Sequence, residues 1–170
     1  IDEARILKNI QTIQKRQNIP VSASLNKNAI APVNLDIEME TGTGKTYVYL
    51  RTIFELRKLY GFRKFVIVVP SIAIYEGVIK SIEITREHFR SLYSNEVLHL
   101  TKYDGQQISK VSSFAKSSFT EVMVITLDSF NKASNKIFNP TEKLPGEKKP
   151  IQYVQETRPI LILDESQNYL

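Results

Sequence analysis

The distribution of apolar residues predicts a sheet whose strands are buried on both faces. Three short stretches are almost continuously apolar and rich in β-branched side chains, at residues 64–69, 121–127 and 159–163. Runs of this length and composition are typical of strands in a parallel sheet with helices covering both faces. Weaker patterns predict two further strands, at residues 35–39 and 96–100.

Between these strands, apolar residues recur at the spacing of amphipathic helices. Helices are predicted at residues 2–18, 45–60 and 72–89, and Gly61 fits the end of the second one. Residues 101–118 are polar, and their pattern favours neither a helix nor a strand.

The alternation of strands and helices predicts an α/β fold, with a mostly parallel, doubly wound sheet between two layers of helices. At 170 residues, 42% of them hydrophobic, the chain has the size of one domain. We expect residues 1–34 to form an N-terminal helix and loop, and residues 35–170 to form the core. A segment rich in Lys and Pro at 136–150 is predicted to be an exposed loop insertion. Because the chain begins with Ile1 rather than Met and stops soon after a predicted strand, we expect a fragment of a longer protein.

The charge and the amino-acid content change this picture little. A formal net charge of +5 is compatible with a polyanionic partner but is too small to establish one. The absence of cysteine excludes disulfides and thiolate metal sites. No apolar run has the length of a membrane span, and the N-terminus lacks a signal-peptide core, so we expect a cytoplasmic protein with no membrane partner.

Residues 39–46 read METGTGKT and join a predicted strand to a predicted helix. In such a glycine-rich turn the backbone N–H groups and the positive helix end face an anion, here a nucleoside triphosphate. The Lys45 amine would reach the β- and γ-phosphates, and the Thr46 hydroxyl would bind Mg²⁺. The predicted nucleotide-binding residues are Glu40, Thr41, Gly42, Thr43, Gly44, Lys45 and Thr46. The alternative is a chance Gly-Lys-Thr in a surface turn, since Met39 stands where the general pattern has glycine.

Asp164 and Glu165 directly follow the last apolar strand. Carboxylates at the end of a buried strand are costly unless a positive group meets them, and Mg²⁺ with a nucleotide is such a group. Asp164 would hold the metal, mainly through water, while Glu165 would orient and deprotonate the attacking water. The predicted catalytic residues are therefore Lys45, Asp164 and Glu165, with Thr46 and Asp164 at the metal. Alternatively, Asp164 caps the following segment and Glu165 is solvated.

Other polar residues follow neighbouring strands of the predicted sheet. Pro70 and Ser71 come after the strand at 64–69, where a hydroxyl at a helix start binds either a nucleic-acid phosphate or only the helix backbone. Thr126 and Ser129 offer hydroxyls at another strand end, with the same two interpretations. Gln167 is predicted either to sense the γ-phosphate or to be an exposed loop residue.

Four stretches then stand in order: METGTGKT, VVPSIAI, VITLDSF and ILILDESQ. This series resembles motifs I, Ia, a later DNA-contacting motif and motif II of the first motor domain of superfamily 2 helicases. Residues 35–76 are similar in wording to the Res subunit of type III restriction enzymes, in which the phosphate loop also reads METGTGKT. Met39 therefore matches this family. The resemblance covers residues 35–168.

The resemblance implies a RecA-like ATP-binding domain with ATP and Mg²⁺ as cofactors. It places Lys45 and Thr46 on the nucleotide and the metal, and Asp164 and Glu165 in the hydrolytic site. Residues 70–71 would touch the DNA backbone, and Gln167 would end a DExx-type box.

The implied function is an ATP-driven motor in the restriction subunit of a type III enzyme, which engages and translocates DNA for cleavage. Its implied partners are DNA, a methyltransferase (modification) subunit, and a second motor domain and a nuclease domain of the same full-length chain. Three alternatives stay open: a superfamily 2 helicase or remodeller without a nuclease, a DNA-binding module with a vestigial loop, and an unrelated small-molecule kinase. Since arginine fingers come from the second motor domain, we expect the fragment alone to be nearly inactive.

Overall fold

A computed structural model describes most of the chain in two compact units, residues 1–43 and 44–170. The prediction of a single domain, with a core that begins at residue 35, stays a prediction. The residues that the structure describes are 2–27, 37, 39–40, 42–105, 107–130, 134–140 and 148–165.

Among the described residues of the first unit there is one helix, α1 (Glu3–Arg16), which confirms the helix predicted at 2–18. It begins at Asp2, whose carboxylate accepts a hydrogen bond from the backbone N–H of Arg5 at 3.1 Å. After the helix the chain folds back, because the Gln14 amide donates to the Ser22 hydroxyl at 2.8 Å and accepts from its backbone N–H at 2.9 Å.

The second unit alternates helices and strands along the chain. Its elements are α2 (Lys45–Tyr60), β1 (Lys64–Val69), α3 (Ile72–Leu92), β2 (His99–Lys102), α4 (Ser109–Lys116), β3 (Glu121–Thr126), α5 (Pro150–Glu156) and β4 (Ile160–Leu163). The strands form one four-stranded sheet in the order β2-β3-β1-β4, and every pairing is parallel. This arrangement confirms the predicted α/β class and the parallel sheet.

Helices cover both faces of this sheet at β1 and β3. The prediction that the last strand is also buried on both faces was wrong, because β4 lies at the edge of the sheet with Leu161 60% and Leu163 51% exposed. Consecutive β1 residues point to opposite faces, so Phe65 and Ile67 pack with α2 and α3, while Val66 and Val68 pack with α4 and α5. On the first face the fully buried side chains include Leu50, Ile53, Val78, Phe89, Val122 and Val124. On the second they include Val111, Phe114, Met123 and Ile125. The three-layer arrangement predicted from the continuous apolar runs is therefore confirmed.

Some predicted boundaries were wrong. The strand expected at 96–100 begins at His99, and the polar stretch that favoured no element contains α4. The predicted exposed loop at 136–150 begins with a 3₁₀ turn, Lys136–Phe138, whose Ile137 is buried in the core. The helix α5 begins at the last residue of the predicted loop, where Pro150 occupies the first helical turn. Residues 141–147 of that loop lie outside the described part of the chain.

The predicted strand at 35–39 falls mainly on residues that the structure does not describe. Ile37 and Met39 are described, and neither is in a strand. Within the described residues, no helix is long and apolar enough to cross a membrane.

The register of the sheet brings the carboxyl ends of three strands to one edge. Val69 is opposite Thr126 of β3, and Val68 is opposite Leu163 of β4. In open parallel sheets, ligands bind beyond the carboxyl ends of the strands. The residues that follow β1, β3 and β4 therefore lie where a binding site is expected.

Candidate active site

The glycine-rich turn has two residues in the left-handed backbone region. Gly42, in the first unit, has a φ of +81°, and Gly44, in the second, has a φ of +87°. Within the first unit the turn is closed by Thr43, which donates to the Glu40 carbonyl from its N–H at 3.3 Å and from its hydroxyl at 2.6 Å. Glycine adopts this backbone without the penalty that a Cβ atom brings. The predicted residue Thr41 lies outside the described residues.

Helix α2 starts directly after this turn, with Gly44 as its N-cap residue. The Gly44 carbonyl accepts the first helical hydrogen bond, from the backbone N–H of Val48 at 3.0 Å. Lys45 and Thr46 therefore occupy the first turn, whose N–H groups have no partner within the helix. A helix end of this kind, with a lysine in its first turn, is suited to bind an anion.

Lys45 and Glu165 meet across the carboxyl edge of the sheet. The Lys45 Nζ lies 3.9 Å from Glu165 Oε1, and each side chain is 33% exposed. The fold thus brings together the lysine of the turn and the carboxylate pair after β4, which the sequence predicted to share one site. Their catalytic roles stay a prediction.

Asp164 is the most buried carboxylate of this edge, with 9% of its surface exposed. Its backbone N–H donates to the Val68 carbonyl at 3.0 Å and so continues the pairing of β4 with β1. Burial raises the pKa of the Asp164 carboxyl, and the charge of Glu165 adds to this effect. Hydrogen bonding from Tyr49 and the charge of Lys45 act in the opposite direction.

Tyr49 belongs to this site, although none of the predicted site motifs contains it. Its hydroxyl donates to Asp164 Oδ2 at 3.3 Å. Burial, followed by the neighbouring Asp164, raises the pKa of the Tyr49 phenol, and hydrogen bonding from Thr46 opposes the increase. The available signal was its spacing, because a residue three positions after Thr46 lies on the same side of the helix.

Glu165 has a φ of +53°, which is unusual for a residue with a side chain. Such a conformation costs on the order of 1–3 kcal/mol and is concentrated at functional sites. The strain is therefore located at the residue for which the sequence predicts the role of general base.

The predicted DNA-contacting hydroxyls lie at the same edge, and they have partners within the protein. Ser71 caps α3, because its Oγ accepts a hydrogen bond from the backbone N–H of Ile74 at 3.3 Å. Thr126 Oγ1 and Ser129 Oγ are 3.2 Å apart. Contacts of these residues and of Pro70 with DNA stay predictions. Gln167 lies outside the described residues.

The oxygen atoms near Lys45 fit Mg²⁺ better than a metal that needs nitrogen or sulfur ligands. No group of three or more His, Asp and Glu side chains that could hold a metal occurs in the described part of the chain. Mg²⁺ is usually held by one or two carboxylates together with waters and substrate phosphates. The buried Asp164 carboxylate and the Thr46 hydroxyl, at the start of α2, are donors of this kind.

Comparison with known families identifies the group to which this architecture belongs. The sequence profile described as "Type III restriction enzyme, res subunit" matches residues 4–168. The chain belongs to this family. Its four-stranded parallel sheet with flanking helices is accordingly the predicted RecA-like fold.

Individual Res subunits are similar over much of the chain. The chain is 35% identical to the StyLTI Res subunit of Salmonella typhimurium over 154 residues, which is 80% of this chain and 16% of that protein. It is 31% identical over 186 aligned residues to the EcoP15I Res subunit of Escherichia coli, covering 99% of this chain and 19% of the relative. The EcoPI Res subunit of Escherichia phage P1 is 39% identical over 99 residues, 57% of this chain and 10% of that protein. The chain thus spans less than a fifth of these relatives.

Proposed function

We propose that this chain is the ATP-binding part of a motor in the restriction subunit of a type III restriction-modification enzyme. The motor couples ATP hydrolysis to DNA engagement and translocation, which leads to DNA cleavage. One observation carries the proposal: the Lys45 ammonium and the Glu165 carboxylate lie 3.9 Å apart at the carboxyl edge of a parallel sheet, next to the buried Asp164.

Each residue of this edge has a role in the proposed reaction. MgATP supplies an electrophilic γ-phosphoryl group whose charge the metal partly neutralises. Lys45 binds the β- and γ-phosphates, and before the nucleotide arrives its amine pairs with Glu165. Thr46 and Asp164 hold the metal. Glu165 accepts a proton from the attacking water at its carboxylate.

The glycine-rich turn contributes backbone donors. Residues 40–44 lead into the helix start, and the positive φ of Gly44 belongs to a turn that presents N–H groups to phosphate oxygens. Glu40, Thr41, Gly42 and Thr43 join the proposed nucleotide site on the grounds of this sequence pattern.

The proposed partners act at the same edge. Pro70, Ser71, Thr126 and Ser129 contact the DNA backbone, and Gln167 couples the γ-phosphate to that contact. The names of the relatives, which are Res subunits of restriction-modification enzymes, support a modification (methyltransferase) subunit as a partner. The proposed full-length protein also carries a second motor domain and a nuclease domain, and the length of the relatives, of which the chain covers less than a fifth, leaves room for both.

The test uses the full-length protein and separates binding from hydrolysis. Lys45→Ala removes a charge-assisted contact and is expected to weaken MgATP binding by about 10-fold or more. Glu165→Gln keeps the shape of the side chain, so it is expected to retain binding and to reduce DNA-stimulated hydrolysis on the order of 10²-fold or more. Nucleotide affinity is measured with a fluorescent ATP analogue, and hydrolysis by phosphate release.

Lys58→Ala is the matched control, because Lys58 is an exposed lysine in the last turn of the same helix. It is expected to leave both quantities unchanged. If Lys45→Ala binds MgATP as tightly as the wild type and Lys58→Ala do, the glycine-rich turn is not a nucleotide site and the proposal is wrong.

A further inference from the structure

The phenol of Tyr49 is the one neutral side-chain donor that the structure describes on the buried Asp164 carboxylate. The distance from the Tyr49 hydroxyl to Asp164 Oδ2 is 3.3 Å. The carboxylate is therefore tied to α2 by this hydroxyl.

Helix α2 delivers Thr46 and Tyr49 to the same place. Residues three positions apart lie on one side of a helix, so the hydroxyl proposed for the metal and the phenol on Asp164 are neighbours. The carboxylate comes from Asp164, which directly follows β4. Tyr49 thus forms a direct side-chain link between the helix that follows the glycine-rich turn and the strand end that carries the carboxylates.

A carboxylate that binds Mg²⁺ through water must present particular lone pairs to that water. Since Asp164 is 9% exposed, solvent contributes little to fixing its orientation. Hydrogen bonds from surrounding groups to a metal-binding carboxylate set its orientation, and their loss typically costs 10- to 100-fold in metal affinity or activity. The Tyr49 bond is long for an O–H···O hydrogen bond, at 3.3 Å, so its loss is expected to cost the lower end of this range or less.

We propose that Tyr49 is a positioning residue for metal binding: its hydroxyl fixes the Asp164 carboxylate in the orientation that accepts Mg²⁺ with the nucleotide. The inference rests on the proposed function and adds a residue that the phosphate-loop pattern does not contain.

Packing alone is the competing explanation for Tyr49. Its ring is half-buried and contacts the cluster formed by α2, α3 and one face of the sheet. Tyr49→Phe keeps the ring and removes only the hydroxyl, so it separates the two explanations. A residue with a purely structural role would not change the dependence on Mg²⁺.

Tyr93→Phe is the matched control. The Tyr93 hydroxyl also donates to a carboxylate, Glu55 Oε1, at 2.6 Å, and its ring is 9% exposed in the same core cluster. The substitution therefore removes the same kind of hydrogen bond from a position outside the proposed nucleotide site.

The experiment titrates Mg²⁺ into the full-length protein with a fluorescent ATP analogue present, and a parallel titration in EDTA measures metal-free nucleotide affinity. For Tyr49→Phe we expect the apparent Mg²⁺ dissociation constant to rise about 5-fold, with metal-free nucleotide affinity within about 2-fold of wild type. Hydrolysis should fall at low Mg²⁺ and recover towards wild type at saturating Mg²⁺. Tyr93→Phe should leave the Mg²⁺ dissociation constant unchanged.

Three results would overturn the inference. If Tyr49→Phe has the Mg²⁺ dissociation constant of the wild type, the hydroxyl does not position Asp164 and the inference is wrong. Intact nucleotide binding in that case would still agree with the proposed function. If Tyr93→Phe raises the constant equally, the effect comes from general loosening of the core. If the wild type binds no nucleotide in the presence of Mg²⁺, the proposed function fails together with the inference.

Discussion

The pair formed by Lys64 and Glu121 gives a stability prediction that does not depend on the active site. Both residues begin neighbouring strands, and their side chains are 11% and 9% exposed. The Lys64 Nζ lies 3.8 Å from Glu121 Oε1 and 5.0 Å from the centre of the Phe114 ring. It is buried and makes no hydrogen bond.

Glu121→Gln removes the opposite charge and leaves the ammonium buried. Breaking a buried ion pair in this way typically costs about 3–5 kcal/mol, because the remaining charge has lost its compensation. The Phe114 ring provides part of the compensation through a cation–π contact of about 1–2 kcal/mol, so the middle of both ranges gives an expected loss of about 2–3 kcal/mol. Lys64→Met combined with Glu121→Gln removes both charges and should recover most of the stability that Glu121→Gln loses.

Hydrogen–deuterium exchange of peptides that cover β1 and β3, in the full-length protein, measures this loss locally. A loss of about 2–3 kcal/mol corresponds to roughly 30- to 150-fold faster exchange, since 1.36 kcal/mol is a factor of ten. Glu83→Gln is the matched control, because Glu83 pairs with Lys102 at 3.0 Å on the surface and should change exchange little. If Glu121→Gln exchanges like Glu83→Gln, or if the double variant is less stable than Glu121→Gln, the reasoning about the buried charge is wrong.

Three further predictions follow from other features. Burial lowers the pKa of Lys64 below 10.5, so between the folded pKa and 10.5 the unfolded state binds more protons than the folded state. The free energy of unfolding of the wild type should therefore increase as the pH rises through this range. Lys64→Met should show no such increase when stability is measured across alkaline pH. Gly44→Ala places a Cβ at a φ of +87° and should weaken nucleotide binding through a backbone penalty of about 1–2 kcal/mol. Gly77→Ala, within α3, should leave nucleotide binding unchanged. Calorimetric titration measures the nucleotide affinity of both variants. Purified residues 1–170 should hydrolyse ATP at least about 10³-fold more slowly than the full-length protein if the proposed second motor domain supplies arginine fingers; robust DNA-stimulated turnover by the fragment would contradict this.

The sequence was most informative where burial alone determines the structure. The strands β1 and β3 were predicted because they are covered on both faces, so that nearly every position is apolar. Strand β2 is at the edge of the sheet and is partly exposed, so its pattern was weaker and its predicted boundary shifted by three residues. Helix α5 was missed because it is short and begins in a segment dominated by Lys and Pro.

The site could be predicted as far as its two motifs allow. Lys45 and Glu165 were expected to share one site because each has a role at a metal-bound nucleotide, and this required no knowledge of side-chain geometry. Tyr49 could not be found in the same way. Its apolar ring suited the buried face of α2, and its contact with Asp164 depends on how far the helix lies from the end of β4. Predictions for Thr41, Gln167 and most of residues 35–39 concern positions outside the described part of the chain.

The left-handed conformation of Glu165 lowers the stability of the fold at a residue that the proposed hydrolysis requires. A glycine at this position would relax the backbone, and an amide in place of the buried Asp164 carboxylate would remove a desolvated charge. Both changes would raise the free energy of unfolding and abolish the proposed hydrolysis of ATP. A selection for heat resistance alone would therefore tend to discard the hydrolytic pair, and any engineering of this chain for durability needs to screen for activity at every round.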